Sequence, residues 1–408
     1  MIEIMAPAGN YESLAAAIKA GANSVYFGVE QLNMRARAAN NFKLDDLSKI
    51  ISICKRSNTK TYLTVNTIMY DHDLNLMKNI CDEAKRNEVT AVICSDMAAI
   101  NYANSIGLEV HISTQTNISN IEAVKFYSKF ADVIVLAREL TLQQIQFICD
   151  EVKKQNIKGP KGDLIEIEIF AHGALCVAIS GKCYMSLATD NASANRGACI
   201  QNCRKKYRVI DDEEGKELVL DNEYIMSPKD LSTIGFLDKI IPTGVKVLKL
   251  EGRGRSIDYV YKVVKCYREA VDSFIEGSYS KEKIENWNKE LGSVYNRGFW
   301  EGGYYLGKKL GEWSGAYGSQ SQFEKKFIGT GRHYFSNKKI GEFKLEAGEL
   351  KKGDKIMITG NTTGFIECKV EELYVNGKPS EKAVKGDLIT IPVERIREKD
   401  KLFVLDKR

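Results

Sequence analysis

The first 280 residues alternate short runs rich in β-branched and aromatic side chains with amphipathic runs at helical spacing. No other feature restricts the fold as strongly. The strand-like runs fall at 2–9, 24–28, 61–66, 91–96, 109–115, 133–139, 164–173 and 245–252. Helix-like runs occupy 11–21, 44–57, 74–87, 97–107, 121–130, 140–156 and 258–277. Eight strand–helix units in succession predict an α/β chain folded as a (β/α)8 TIM-like barrel. A doubly wound open sheet is the alternative, but no G-x-G-x-x-G follows the first strand.

In such a barrel, chemistry sits at the carboxyl ends of the strands. The polar residues expected there are Asn10, Asn66, Asp96, Ser113, Gln115, Arg138, Glu139, His172, Glu251 and Arg253, with Gly9, Gly28 and Gly173 beside them. Strand ends turn polar in any protein, so the set counts for more than any member. Lys249, Glu251 and Arg253 alternate along the last strand and are expected to share one face, where charge is costly unless paired or functional. Arg35 and Arg37 alternate in the long loop 30–42; if it is extended they point the same way and would clamp carboxylates or phosphates.

The second constraint is a loop expected to leave the rim after the seventh strand, residues 174–208. It holds four of the ten cysteines, Cys176, Cys183, Cys199 and Cys203, spaced C-x6-C-x15-C-x3-C. Four thiolates complete the shell of a zinc ion or the four iron corners of an iron–sulfur cluster. The x6 and x15 gaps do not match a zinc ribbon, whose ligands come as two close pairs. They suit a 4Fe–4S cubane, which tolerates irregular loops. The plain alternative is four small buried hydrophobes.

EIFAHGALCVAISGKCYMS (168–186) resembles the signature of the collagenase-like peptidase family U-32, with Glu168, Phe170, Gly173, Cys176, Gly181, Cys183 and Ser186 fitting its pattern. Arg-x-Arg at Arg35 and Arg37, Ser-x-Lys-Asp-Leu at 227–231, Leu-Lys-x-Glu-Gly-Arg at 248–253 and NRGFWEGG at 296–303 are similar to the same family. The nearest branch is that of the bacterial tRNA hydroxylation proteins. The resemblance implies an iron–sulfur cluster and prephenate-dependent 5-hydroxylation of the wobble uridine of tRNA. It also implies loading by the iron–sulfur assembly machinery, and a paralogous subunit or a further copy of the chain as partner. On this reading Cys176, Cys183, Cys199 and Cys203 bind the metal, and His172, Glu251 and Arg253 are the catalytic candidates. Arg35, Arg37, Asn66, Gln115, Arg138 and Glu139 would contact substrate. The alternatives within the family are ribosomal cytidine hydroxylation, a peptidase and a non-catalytic RNA-binding scaffold. The segment between Cys203 and the eighth strand is shorter here than in the longer tRNA enzymes.

A hydrolase needs a recognisable engine, and there is no H-E-x-x-H and no G-x-S-x-G. The four histidines, His72, His111, His172 and His333, are scattered. A Cys176–His172 nucleophile would leave three neighbouring thiols without a purpose.

Residues 210–218 read as a charged hairpin, and 281–323 as a helix followed by a Gly- and aromatic-rich connector that packs between domains or stacks on bases. The last 85 residues alternate short strands with turn signals, as expected of a small C-terminal β-barrel over 324–408 that is RNA-facing, docking or structural. That segment carries 19 Lys+Arg against 14 Asp+Glu, which accounts for the whole net charge of +5. The stretch 182–208 is also basic, with Lys182, Arg196, Arg204, Lys205, Lys206 and Arg208 against Asp190 alone. Such patches favour phosphate backbones, although a solvated charged face has the same composition. No apolar run is long enough to span a membrane and the first residues lack a signal-peptide pattern, so a cytoplasmic protein with reduced or metal-bound cysteines is expected.

Overall fold

The structure is a computed structural model that describes residues 2–37, 41–218, 224, 226–308, 312–315 and 318–408. Parts of the 30–42 loop, the 224–234 segment and the aromatic connector therefore lie outside the described residues. Seven strands open a barrel: β1 Glu3–Pro7, β2 Ser24–Phe27, β3 Lys60–Val65, β4 Ala91–Cys94, β5 Val110–Ile112, β6 Val133–Val135 and β7 Glu166–Gly173. β8 (Asp230–Ser232) lies outside the ring, and β9 (Val247–Leu250) closes it by pairing in parallel with both β7 and β1. The open-sheet alternative is thereby excluded.

Helices α1 Tyr11–Lys19, α2 Leu47–Arg56, α3 Leu74–Arg86, α4 Met97–Ser105, α5 Ile121–Tyr127 and α6 Leu142–Lys154 follow the first six strands. α1 shows why the chain turns where it does. Asn10 accepts a hydrogen bond from the Ser13 backbone N–H at 2.8 Å, and Ser13 Oγ accepts one from the Asn10 N–H at 3.1 Å. This reciprocal cap satisfies two of the free donors at the helix start.

Strand alternation sorts the core into two layers. Ile4, Phe27, Leu63, Val92, Ile112 and Ile134 face outward against the helices. Met5, Tyr26, Tyr62, Ile93, Val133 and Val247 share the opposite face and fill the barrel. Into that interior the chain also places Glu168 and Lys249, both buried and joined Nζ to Oε1 at 2.8 Å. The Lys249 ammonium stands 4.8 Å from the centre of the Tyr26 ring.

Beyond Cys203 the chain forms the expected hairpin, pairing Val209–Ile210 with Glu217–Leu218. β8 then runs antiparallel to the end of β7, and β10 (Phe299–Glu301) lies parallel to β8. Short helices α7 (Met185–Asp190) and α8 (Leu237–Ile240) precede α9 (Ile257–Ile275) and α10 (Lys281–Gly292), and the last three stand between β8 and β10 in sequence. Trp300 is fully buried, and the Tyr305 hydroxyl donates to the Phe170 carbonyl at 2.7 Å. These aromatic side chains pack against the barrel.

The C-terminal strands form an antiparallel β unit around their own core of Ile328, Phe343, Ile356, Ile358, Ile389 and Leu402. It docks on α1 and α9. Lys325 reaches Asp258 at 2.7 Å and Lys262 reaches Glu367 at 3.0 Å. A Cβ on Gly364 would lie 2.9 Å from the Ala16 nitrogen, so a side chain there would push the two surfaces apart. Among the described residues no helix is long and apolar enough to cross a membrane.

Candidate active site at the carboxyl ends of the barrel strands

Residues 174–208 fold back over the mouth of the barrel, held by polar contacts. Arg196 forks onto Asp73 at 2.7 and 3.3 Å and packs over the Tyr70 ring, while the Ile68 N–H donates to the Asn195 carbonyl at 3.1 Å. On the other side, Asn117 Nδ2 donates to the Ser180 carbonyl at 3.0 Å and Arg138 donates to Ser180 Oγ at 2.9 Å. Arg204 donates to the Pro228 carbonyl at 2.7 Å and to the carbonyl of Leu175. The loop is therefore fastened to β3, β5, β6 and the segment before β8.

Between loop and barrel is a cavity of about 240 Å³. Six cationic side chains line it (Arg35, Arg138, Arg204, Lys249, Arg253 and Arg255) against a single carboxylate, Glu251. Arg35 Nη2 donates to Glu251 Oε1 at 2.9 Å. Burial pushes the Glu251 carboxyl up, but Arg35, Arg255 and Arg138 outweigh it and hold the group below the ordinary carboxylate range. Arg253 is buried and donates to Thr64 Oγ1 at 2.9 Å and to Asn33 Oδ1. Burial lowers its pKa to about 10. Gly28 makes room for it, since a Cβ there would stand 2.5 Å from Arg253 Nη1. Four buried polar atoms of lining residues, Thr114 Oγ1, Gln115 Oε1, Arg138 Nε and Arg253 Nε, have no protein partner. Buried polar groups are usually satisfied, so these are places where a ligand can supply the missing bond.

All four loop cysteines line the same cavity, half-buried and unpaired by disulfides. Burial raises the Cys203 thiol to about 11; Arg204 opposes the shift, and Cys176, Cys199 and Cys183 add to it. The thiols thus lie within electrostatic reach of one another. Among the described residues, no three His, Cys, Asp or Glu side chains gather closely enough to hold a single metal ion. Four soft donors lining one cavity are a donor set that a polynuclear cluster would accept, its ligands attaching to separate irons. Cys54, Cys81, Cys94, Cys149 and Cys266 are buried core residues, and Cys368 lies in the C-terminal unit.

Of the residues given a catalytic, substrate-binding or metal-binding role from the sequence, Arg35, Asn66, Gln115, Arg138, Glu251, Arg253 and the four cysteines come together around the cavity. Three do not. His172 was expected at the rim as a catalytic group, but its ring leaves the interior. The β7–β9 register slips between Lys249 and Leu250, and such a bulge re-aims the residues after it. The imidazole is buried against Tyr267, Tyr259 and Phe299, and burial lowers its pKa to about 3. Arg37 was expected beside Arg35, but residues 31–37 form bends and turns rather than extended chain. Arg35 turns inward and Arg37 is exposed. Glu139 is half-buried outside the lining. Gln115 reaches the cavity from a one-turn 3-10 helix, Thr114–Thr116, because the strand stops at Ile112.

Sequence reasoning passed over Arg255 and Asn33, and placed Arg204 only in a basic stretch and not in the cavity. Arg255 sits two residues beyond Arg253 in the same Gly-Arg-Gly-Arg run, a signal that was there to be used. It packs 3.7 Å from the Tyr295 ring centre. Asn33 has no local signal, since its partner Arg253 is 220 residues away.

The family model described as Peptidase family U32 matches residues 9–315. A protein named collagenase from Porphyromonas gingivalis is 56% identical over 407 residues, covering 100% of this chain and 98% of its own length. The tRNA hydroxylation protein P1 of Bacillus subtilis is 30% identical over 385 residues, 91% of this chain and 87% of its own. A 23S rRNA 5-hydroxycytidine synthase of Escherichia coli is 35% identical over 276 residues, 67% of this chain and 40% of its own. The match spans the barrel from α1 onward, the cysteine loop and β10 together, and the chain belongs to peptidase family U32.

Proposed function

We propose that the chain is an iron–sulfur-dependent RNA hydroxylase whose target is the wobble uridine of tRNA and whose co-substrate is prephenate. The observation that carries this reading is the convergence of four thiols and six cations on one cavity at the carboxyl ends of the strands. Cys176, Cys183, Cys199 and Cys203 would hold a 4Fe–4S cluster, which when bound supplies one-electron chemistry. The barrel side does the positioning. Arg35, Arg138 and Arg255 offer guanidinium forks to the carboxylates of a dianion such as prephenate. The Lys249 ammonium, paired with buried Glu168, closes the floor, and Glu251 orients Arg35. Asn66 and Gln115, whose side chains line the cavity, would meet the polar edge of a uracil. Unpaired bases can enter such a cavity, whereas bases within a duplex must first leave the stack. Relatives named for tRNA and ribosomal RNA hydroxylation support RNA as substrate, and leave ribosomal cytidine as the nearest variant.

Hydrolysis is the second reading, favoured by the 56% identity to a protein named collagenase. Against it, no histidine lines the cavity, and the His172 imidazole is turned away from Cys176 and buried among aromatic rings. The test is anaerobic purification with iron and sulfide analysis, run beside a gelatin-cleavage assay. Brown protein with about four irons per chain and no gelatin cleavage supports the proposal. Colourless protein that cleaves gelatin contradicts it.

A further inference from the structure

Large apolar side chains exposed to solvent are unevenly distributed. Of fifteen among the described residues, Ile68, Tyr70, Ile179, Tyr184 and Ile200 stand on the cysteine loop or on the β3–α3 segment clamped to it. Each loop member is a sequence neighbour of a cavity-lining residue: Ile179 of Ser180, Tyr184 of Cys183, and Ile200 of Cys199 and Gln201. The chain here alternates between filling the cavity and facing outward. Tyr184 is the most exposed of the fifteen, at 69%. Among the described residues no ring or cation is stacked on it, whereas the Tyr70 ring carries the Arg196 guanidinium 4.0 Å from its centre. Beside these rings the loop exposes Lys182, Lys205, Lys206 and Arg208. Its one acidic residue from 182 to 208, Asp190, is bonded to Asn202 at 2.7 Å.

Exposed aromatic rings set among cations at a cavity mouth suit a ligand with flat faces and a regular negative backbone. We infer that the outer face of the cysteine loop is a docking surface for an unpaired RNA strand, with Tyr184 stacking on a base flanking the one that enters the cavity and Lys182 and Lys205 meeting adjacent phosphates. This rests on the proposed RNA reading and adds to it the place where the strand lies and its unpaired state. Base–aromatic stacking is indifferent to base identity, whereas a duplex presents no free base faces to the rim.

The test uses the full holoprotein and fluorescence anisotropy with labelled oligouridine, duplex RNA of equal length and a gelatin peptide. Wild type is expected to prefer oligouridine. Tyr184→Ala should weaken that binding roughly tenfold, the size of one lost stacking contact, and Tyr184→Trp should restore it. Lys182→Gln with Lys205→Gln should flatten the salt dependence by about 1.4 units of slope. Iron content checks that none of these variants has lost the cluster. Tyr184→Ala binding like wild type, or duplex binding as tightly as oligouridine, overturns the docking surface and leaves the hydroxylase reading standing. Wild type that binds gelatin and no RNA overturns both.

Discussion

The two ends of the barrel both carry buried charge, and they handle it differently. At the amino end of the strands each carboxylate is met by its partner. Glu3 takes Lys60 at 2.7 Å and the Tyr62 hydroxyl at 2.8 Å, and Glu109 takes His111 at 3.3 Å and Lys161. At the carboxyl end six cations line a cavity with one carboxylate between them, and Gln115, Arg138 and Arg253 each hold a buried polar atom that meets no protein partner. The lower carboxylates are each paired, with His111 Nδ1 left as one unpartnered atom there, whereas at the upper end the cations outnumber the carboxylates around the cavity. A protein tolerates such an imbalance where a ligand completes it.

Substitutions can break this contrast. The largest effect is expected from Cys199→Ala, which removes one of four cavity thiols and should abolish the iron signal and the activity. Cys54→Ala alters a thiol buried in the core and should leave the colour unchanged. Next, Lys249→Met leaves Glu168 buried without its cation and should destabilise the fold by roughly 3–5 kcal/mol in urea unfolding. Adding Glu168→Gln should recover part of that loss. Arg253→Ala removes one hydrogen bond each from Thr64 and Asn33, which keep Phe27 and Arg35 as partners. It should cost about 1–3 kcal/mol and abolish activity while iron content stays at the wild-type level. Surviving activity would show that the cavity is not the site. The smallest effect is expected at the lower end. Lys60 is mostly solvated, so Lys60→Met should cost roughly 0–1 kcal/mol and leave activity intact. A large activity loss there would dissolve the contrast between the two ends.

The barrel was legible in the sequence because each strand and helix announces itself locally, through periodicity and turn residues. The four cavity-lining thiols were legible as a group because they are close together along the chain. What escaped depends on residues distant in sequence or on irregular backbone. One slipped pair in the β7–β9 ladder turns His172 out of the barrel, and no periodicity within either strand reports it. The opposite directions of Arg35 and Arg37 follow from turns in a loop whose composition suggested extended chain. Asn33 gains its meaning only when β9 brings Arg253 across the barrel. β10 is three residues long, too short for alternation to be visible, and it is fixed by the burial of Trp300.

The central claim is that the cavity serves oxidative RNA modification. Its most direct test is nucleoside mass spectrometry of digested tRNA and ribosomal RNA from a strain lacking the gene, rescued with wild type or with Cys176→Ala. The account predicts that wobble nucleosides derived from 5-hydroxyuridine disappear from tRNA and return only with wild type. Nucleosides unchanged in both RNAs would contradict it.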